Sequence, residues 1–212
     1  MNGLKAEEIA YILFPRYITR NDVVIEVGAN IGGATALLSD LARQVHAFEP
    51  NPQVFARLQE NLSGRKNVSL HNLGAGVSNE SMNFNIPSQK DTTFGSSHRI
   101  AGGEYVGEAS VAVARLDQVA FAEPPSVIVL DCEGSEVEAL RGAEGLFKRG
   151  SIREVIVETH TLTDGRSTDR DTIDVLGAYG FAVELRTTAP DGSPWIVAER
   201  STALNGKASS AR

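Results

Sequence analysis

The sequence predicts an α/β fold built on one open, mostly parallel sheet, and three observations carry that prediction. Strand-like and helix-like segments alternate along most of the chain, the pattern left by parallel strands joined through right-handed crossovers. Val127-Ile128-Val129-Leu130 and Val155-Ile156-Val157 are continuously apolar, as strands buried on both faces must be. The strand Val23-Val24-Ile25-Glu26-Val27 runs directly into a glycine-rich turn, Gly28-Ala29-Asn30-Ile31-Gly32-Gly33, where the missing Cβ atoms let backbone approach a ligand closely. With 212 residues the chain buries a full core as one domain, residues 21–201, behind a helical segment at 1–20.

Each element follows from its local pattern. The run Ile9-Ala10-Tyr11-Ile12-Leu13-Phe14 is stopped by Pro15 and is far shorter than the ~20 apolar residues of a membrane span, so a helix packed on the domain is expected, with a homodimer contact as the alternative use of that surface. The turn after Val27 enters a helix bearing Leu37, Leu38 and Leu41 and, with the second strand Val45-His46-Ala47-Phe48-Glu49, makes a Rossmann-type βαβ unit. Asn51 is placed to cap the next helix, Pro52 suits its first turn, and Val54, Phe55, Leu58 and Leu62 recur at helical spacing. Val68-Ser69-Leu70 forms a third strand, and residues 71–76 form a loop at the same edge of the sheet.

From 81 to 115 this order breaks. Met82-Asn83-Phe84-Asn85-Ile86 and Ser110-Val111-Ala112-Val113-Ala114 both alternate, which predicts an inserted β-hairpin. Its tip, 87–107, is long for a structureless loop and is read as a substrate lid, with Phe94, His98, Arg99 and Tyr105 as the side chains that meet substrate. The fourth strand, 127–131, then leads into a helix carrying Val137, Leu140, Leu146 and Phe147, and the fifth is 155–160. A helix with Ile173, Val175, Leu176 and Tyr179 precedes Phe181-Ala182-Val183-Glu184-Leu185 and Trp195-Ile196-Val197-Ala198, which close the seven-stranded pattern as an antiparallel hairpin. Trp195 sits in an apolar strand and is expected in the core. Residues 202–212 are small and polar without periodicity and read as a disordered tail.

A net charge of −7 and a pI near 5.2 argue against nucleic acid and anionic membranes as partners. One cysteine, Cys132, allows no internal disulfide, and no signal peptide is legible at the start, so a cytoplasmic location is expected.

The turn also selects its ligand by charge. Gly28 and Gly33 hold the outer places of a G-x-G-x-x-G pattern and Asn30 the middle one, while Glu26 sets a carboxylate where a dinucleotide would carry its diphosphate. S-adenosylmethionine has no phosphate and presents a sulfonium and an α-ammonium, which an acidic pocket attracts. Glu49 closes the second strand roughly 20 residues after the first glycine, the position from which a carboxylate accepts bonds from both ribose hydroxyls. The expected cofactor contacts are therefore Glu26, Gly28, Ala29, Asn30 and Gly32 on the turn, Glu49 and Pro50 at the second strand end, Asn72 and Gly74 on the adenine side, and Asp131 at the end of the fourth strand.

The motifs Glu26-Val-Gly-Ala-Asn-Ile-Gly32, Phe48-Glu-Pro-Asn-Pro52, Leu58-x-x-Asn61, Asp131-x-Glu-Gly-x-Glu136 and Glu158-x-His160 together resemble the FkbM family of S-adenosylmethionine-dependent methyltransferases, over roughly residues 20–185. The resemblance implies a class I Rossmann-like sheet whose seventh strand is antiparallel to the rest, and O-methylation of a hydroxyl on a small molecule such as a sugar or natural product. Two positions depart from the family: Glu26 stands where aspartate is common, and Val129 stands where many members carry a lysine, so no mechanism that relies on that lysine carries over.

Methyl transfer is an in-line displacement that rests on alignment, and an alcohol acceptor must also lose its proton. His160, Glu158, Asp131 and Glu133 are the candidate bases, with His160 first because imidazole titrates nearest neutrality and His98 second; the plainer alternative is that His160 caps its strand end. A divalent cation on Asp131, Glu133, Glu158 and His160 is the less favoured route, because no spacing here matches a recognised metal motif. Glu136 reads as an acid favouring a helix N-terminus, and Cys132, flanked by acids, as a poor nucleophile that packs. A nicotinamide-dependent oxidoreductase and a non-catalytic Rossmann-like binding domain are the rival readings.

Overall fold

The structure, a computed structural model, describes residues 6–87, 105–189 and 192–201. The lid residues Phe94, His98 and Arg99, the side chain of Tyr105 and the tail 202–212 lie outside the described residues.

Seven strands form the main sheet: β1 (Val23–Val27), β2 (Gln44–Phe48), β3 (Val68–His71), β7 (Val127–Leu130), β8 (Glu154–Glu158), β9 (Phe181–Thr188) and β10 (Pro194–Arg200), in the order β3-β2-β1-β7-β8-β10-β9. β1 pairs parallel with β2 and β7, β7 pairs parallel with β8, and β10 runs antiparallel to both β8 and β9. Only β10 is therefore reversed, as expected for the last strand. The chain builds outward from β1 to β3, then returns to the other side of β1 with β7, which makes the β1/β7 boundary the topological switch point where ligands bind.

Burial on both faces follows from the period of two along each strand. Val24, Val127 and Val129 face one core layer with Leu38 of α2 (Gly33–Leu41), Leu58 of α3 (Pro52–Leu62) and Leu13 of α1 (Ala6–Tyr17). Ile25, Ile128 and Leu130 face the other, with Leu140 of α4 (Glu136–Gly142), Phe147 of α5 (Glu144–Arg149) and Leu176 of α6 (Thr168–Ala178). Trp195 is buried, as expected.

Three local expectations change. Pro15 does not stop α1, which continues through it to Tyr17 although proline has no N–H to donate to Tyr11 O. Ile9, Ala10, Leu13 and Phe14 are buried beneath that helix, while Tyr11 and Ile12 are exposed. The single helix expected over 137–147 is two, α4 and α5, separated at Ala143; beside that break Gly142 lies so near Gly76 that a Cβ there would fall 2.0 Å from the Gly76 carbonyl oxygen. The loop expected at 71–76 contains β4 (Gly74–Ala75), which pairs parallel with β6 (Tyr105–Ala114); β5 (Glu80–Pro87) pairs antiparallel with β6, so the inserted hairpin is part of a three-stranded sheet. Gly74 and Ala75 are buried, and that pairing supplies their backbone partners.

Asp22 ties the start of β1 to the starts of β7 and β8. Its carboxylate accepts from Ser126 Oγ at 2.7 Å, Arg153 Nη2 at 2.8 Å and Thr19 N at 2.8 Å, and Arg153 also donates to Tyr17 O at 2.6 Å. Burial alone would raise the pKa of Asp22, but the bonds from Arg153, Ser126 and Thr19 outweigh it and hold the carboxyl below its usual value. A lowered folded pKa contributes stability that is present above the unfolded value and is lost as pH falls through the folded one. Asp22→Ala is expected to cost about 3 kcal/mol in urea unfolding at pH 7, and the difference from wild type should shrink below about pH 4.

Candidate functional site

The carboxyl ends of β1, β2 and β7 meet around one cleft. Gly28 leaves β1 with φ +90°, and a Cβ placed on it would lie 1.7 Å from the Asp131 carbonyl oxygen, so only glycine lets these two strand ends approach. Gly28 N and Ala29 N both donate to Phe48 O at 3.0 Å, which folds the turn over the end of β2. Asn30 takes a left-handed conformation, φ 52°, and its amide donates to Glu49 Oε2 at 3.1 Å, while Asn51 N donates to Glu49 Oε1 at 2.8 Å. Each carboxylate oxygen of Glu49 is thus fixed by one backbone amide.

The cleft encloses about 620 Å³ including its open mouth. Gly28, Asn30, Glu49, Pro50 and Gly74 line it, and so do Asp131, Cys132 and Glu133 of the β7 end. Met82, Phe84, Val111 and Val113 of the β5–β6 hairpin form its apolar wall. The hairpin body thus meets the cleft itself; the alternation of those four residues was the sequence signal for that wall. Ala29, Gly32 and Asn72 are not in the lining: Ala29 is buried behind the turn, and the Asn72 side-chain amide donates to Glu49 O at 2.8 Å, bracing the second strand end.

Glu26 also lies outside the lining. It is buried in β1, with Oε2 lacking a hydrogen-bond partner, and burial pushes its pKa to about 8. At neutral pH in the absence of a cation its carboxyl is largely protonated, which corrects the expectation that Glu26 itself presents the charge that repels a diphosphate. Glu49, only 3% exposed, is pushed up to about 7, burial outweighing its two amide donors. A raised folded pKa means that the proton bound by Glu49 stabilises the fold below the unfolded value, and that contribution is lost as pH rises through about 7. A ligand that needs the ionised carboxylate as a double acceptor gains over the same window. S-adenosylhomocysteine affinity is expected to rise up to about tenfold from pH 6 to pH 8, and Glu49→Gln, read by calorimetry at both values, should remove that rise.

Beside the cleft, His160 sits in a cage of acids. Its Nδ1 lies 2.9 Å from Glu136 Oε1, and its Nε2 lies 3.4 Å from Glu133 Oε2 and 3.9 Å from Asp131 Oδ1. Burial pulls the imidazole pKa down, but Glu136, Glu133 and Asp131 outweigh it and push it up to about 10. His160 was favoured as general base for a near-neutral pKa, and the structure corrects that premise, since an imidazolium has no lone pair to offer. Glu158, buried at the end of β8, has its pKa pushed well up by burial and by Asp131, and it does not line the cleft. Of the three expected catalytic residues, only Asp131 does.

Glu136 is the residue that the sequence undervalued. It begins α4, as a helix-favouring acid should, but it is fully buried, accepts from Gly134 N at 2.8 Å and holds His160. Cys132 is partly buried, and burial together with Glu136 raises its thiol pKa well above the ordinary value, as its flanking acids predicted. No helix among the described residues is long and apolar enough to cross a membrane.

Residues 26–183 match the methyltransferase FkbM domain. The chain is 30% identical over 164 residues to the hexuronic acid methyltransferase AglP of Haloferax volcanii, covering 77% of this chain and 66% of that protein. Among solved structures, methyltransferase FkbM from Methylobacillus flagellatus KT superposes with a TM-score of 0.58 at 19% identity, over 85% of this chain and 44% of the other. Magnesium protoporphyrin IX methyltransferase from Synechocystis PCC 6803, with bound SAM, gives 0.54 at 13% identity, over 92% and 77%. The chain spans just under two thirds of the archaeal relative and less than half of the Methylobacillus protein.

Proposed function

Because the chain belongs to the methyltransferase FkbM family, we propose that it transfers the methyl group of S-adenosylmethionine to a hydroxyl of a small molecule, with a sugar as the acceptor class. The observation that carries this reading is the cleft at the switch point, where Gly28, Asn30 and Glu49 offer the backbone approach and ribose acceptor that an adenosyl group needs. The buried, unpartnered Oε2 of Glu26 beneath the turn supports a cationic ligand further, since a positive group nearby restores the carboxylate that burial disfavours.

The cofactor supplies an activated methyl; the chain supplies alignment. Asp131 and Glu133 line the cleft beside the turn, and Asp131 is the carboxylate assigned to accept the hydroxyl proton as the oxygen–carbon bond forms. Glu26, Gly28, Ala29, Asn30, Gly32, Glu49, Pro50, Asn72 and Gly74 form the cofactor side, some by contact and some by bracing the strand ends. The apolar wall of Met82, Phe84, Val111 and Val113 packs against the less polar face of the acceptor. The name of the archaeal relative supports a sugar acid within the acceptor class.

Incubation with methyl-labelled S-adenosylmethionine and a panel of hexuronic acids, neutral sugars and amines tests the proposal. Label in a methyl ether of a sugar is the expected product, whereas label in a methyl ester would place the transfer on a carboxylate and contradict the hydroxyl assignment. Transfer to the amines alone, or turnover of none of the panel by protein that binds the cofactor, contradicts the acceptor class.

A further inference from the structure

Asp131, Glu133 and His160 offer three ligand atoms that all lie within 4.8 Å of one another. Asp131 directly follows β7, Glu133 lies in the turn beyond it with φ 55°, and His160 lies two residues past the end of the neighbouring β8. With Nδ1 held by Glu136, His160 turns Nε2 toward the two carboxylates, and an ion binding between them would take the place of the Nε2 proton. A fully buried carboxylate that fixes one histidine nitrogen while the other faces outward is the support metal-ligating histidines use.

The separations point the same way. Nε2 stands 3.4 Å from Glu133 and 3.9 Å from Asp131, well beyond the ~2.8 Å of a charge-assisted bond and beyond the 2.9 Å the same ring achieves at Nδ1. Two ligand atoms each about 2.1 Å from one cation lie about 3.0 Å apart at a right angle and about 3.4 Å apart at the tetrahedral angle. The Glu133–His160 spacing matches the tetrahedral figure, the 3.9 Å to Asp131 requires a wider angle, and Asp131 and Glu133 open onto the cleft, which supplies a path of entry.

We propose that Asp131, Glu133 and His160 bind a divalent first-row transition-metal cation such as Mn²⁺ at the edge of the cleft. Carboxylates suit manganese and imidazole suits first-row ions such as iron and zinc, so two carboxylates with one imidazole fit that series better than magnesium. A cation there stands in place of the proton that the same carboxylates otherwise hold on the imidazole, and it leaves coordination positions for an acceptor oxygen. That second role rests on the methyl-transfer reading, and in it Asp131 serves as a ligand rather than as the base.

The test is a titration of chelator-stripped protein with Mn²⁺, reading free ion by electron paramagnetic resonance without cofactor. Wild type is expected to bind one ion, and Glu133→Gln and His160→Gln to weaken it at least about tenfold, with circular dichroism melts showing that each variant is folded. Asp131→Asn, at a side chain 45% exposed, serves as the third variant if His160→Gln fails to fold. No binding up to about 1 mM, or equal binding by wild type and the folded variants, overturns the proposal. S-adenosylhomocysteine titrated into the stripped protein tests the methyltransferase reading separately, so either can fail while the other stands.

Discussion

Gly28→Ala is expected to abolish cofactor binding and to destabilise the fold by about 4 kcal/mol or more, among the largest effects a single methyl can have. Two costs add. At φ +90° an L-residue is strained, and the new Cβ would sit 1.7 Å from the Asp131 carbonyl oxygen, which is backbone and cannot swing away. Relief requires that β1 and β7 separate at their carboxyl ends, where Asp131 N now donates to Val27 O at 3.0 Å. That movement opens the floor of the cleft, so stability and binding should fall together. Urea unfolding followed by intrinsic fluorescence reads the first and calorimetry the second; an alanine variant with wild-type stability would mean that the turn is not built as described.

The second large effect is expected at Glu49. Replacing it with alanine removes the acceptor of two backbone amides, Asn30 N and Asn51 N, as well as the carboxylate presented to the ribose hydroxyls. S-adenosylhomocysteine affinity should fall about 100-fold, equivalent to about 2.7 kcal/mol, while the melting point changes little because burial of this carboxyl was itself unfavourable. Glu49→Gln keeps one acceptor oxygen and should fall between the two. Affinity in Glu49→Ala close to wild type contradicts the assignment of this residue to the ribose.

The fold was legible because its signals are local. Continuous apolar strands, the Asn51 cap with Pro52, and the glycine turn each follow from neighbouring residues, and a parallel sheet then places every strand-end acid at one edge. Asp131 and Glu49 were found that way. The state of His160 was not legible, since it depends on whether Glu136 faces water or protein, and the spacing that puts Glu136 in the first turn of α4 is the same in both cases. The charge on Glu26 was misjudged for the same reason: its position in the motif was plain, whereas its complete burial is a property of the packed layers around it. β4 escaped notice because two residues carry no periodicity, and its strand character comes only from Val113 and Ala114 across the chain.

Calorimetric titration of the wild-type protein with S-adenosylhomocysteine, beside a matched titration with NAD, tests the central claim most directly. Saturable one-to-one binding of S-adenosylhomocysteine with no heat from NAD is the predicted result. Binding of NAD in its place, or of neither ligand, would contradict the assignment of the cleft at Gly28 and Glu49 to an S-adenosyl cofactor.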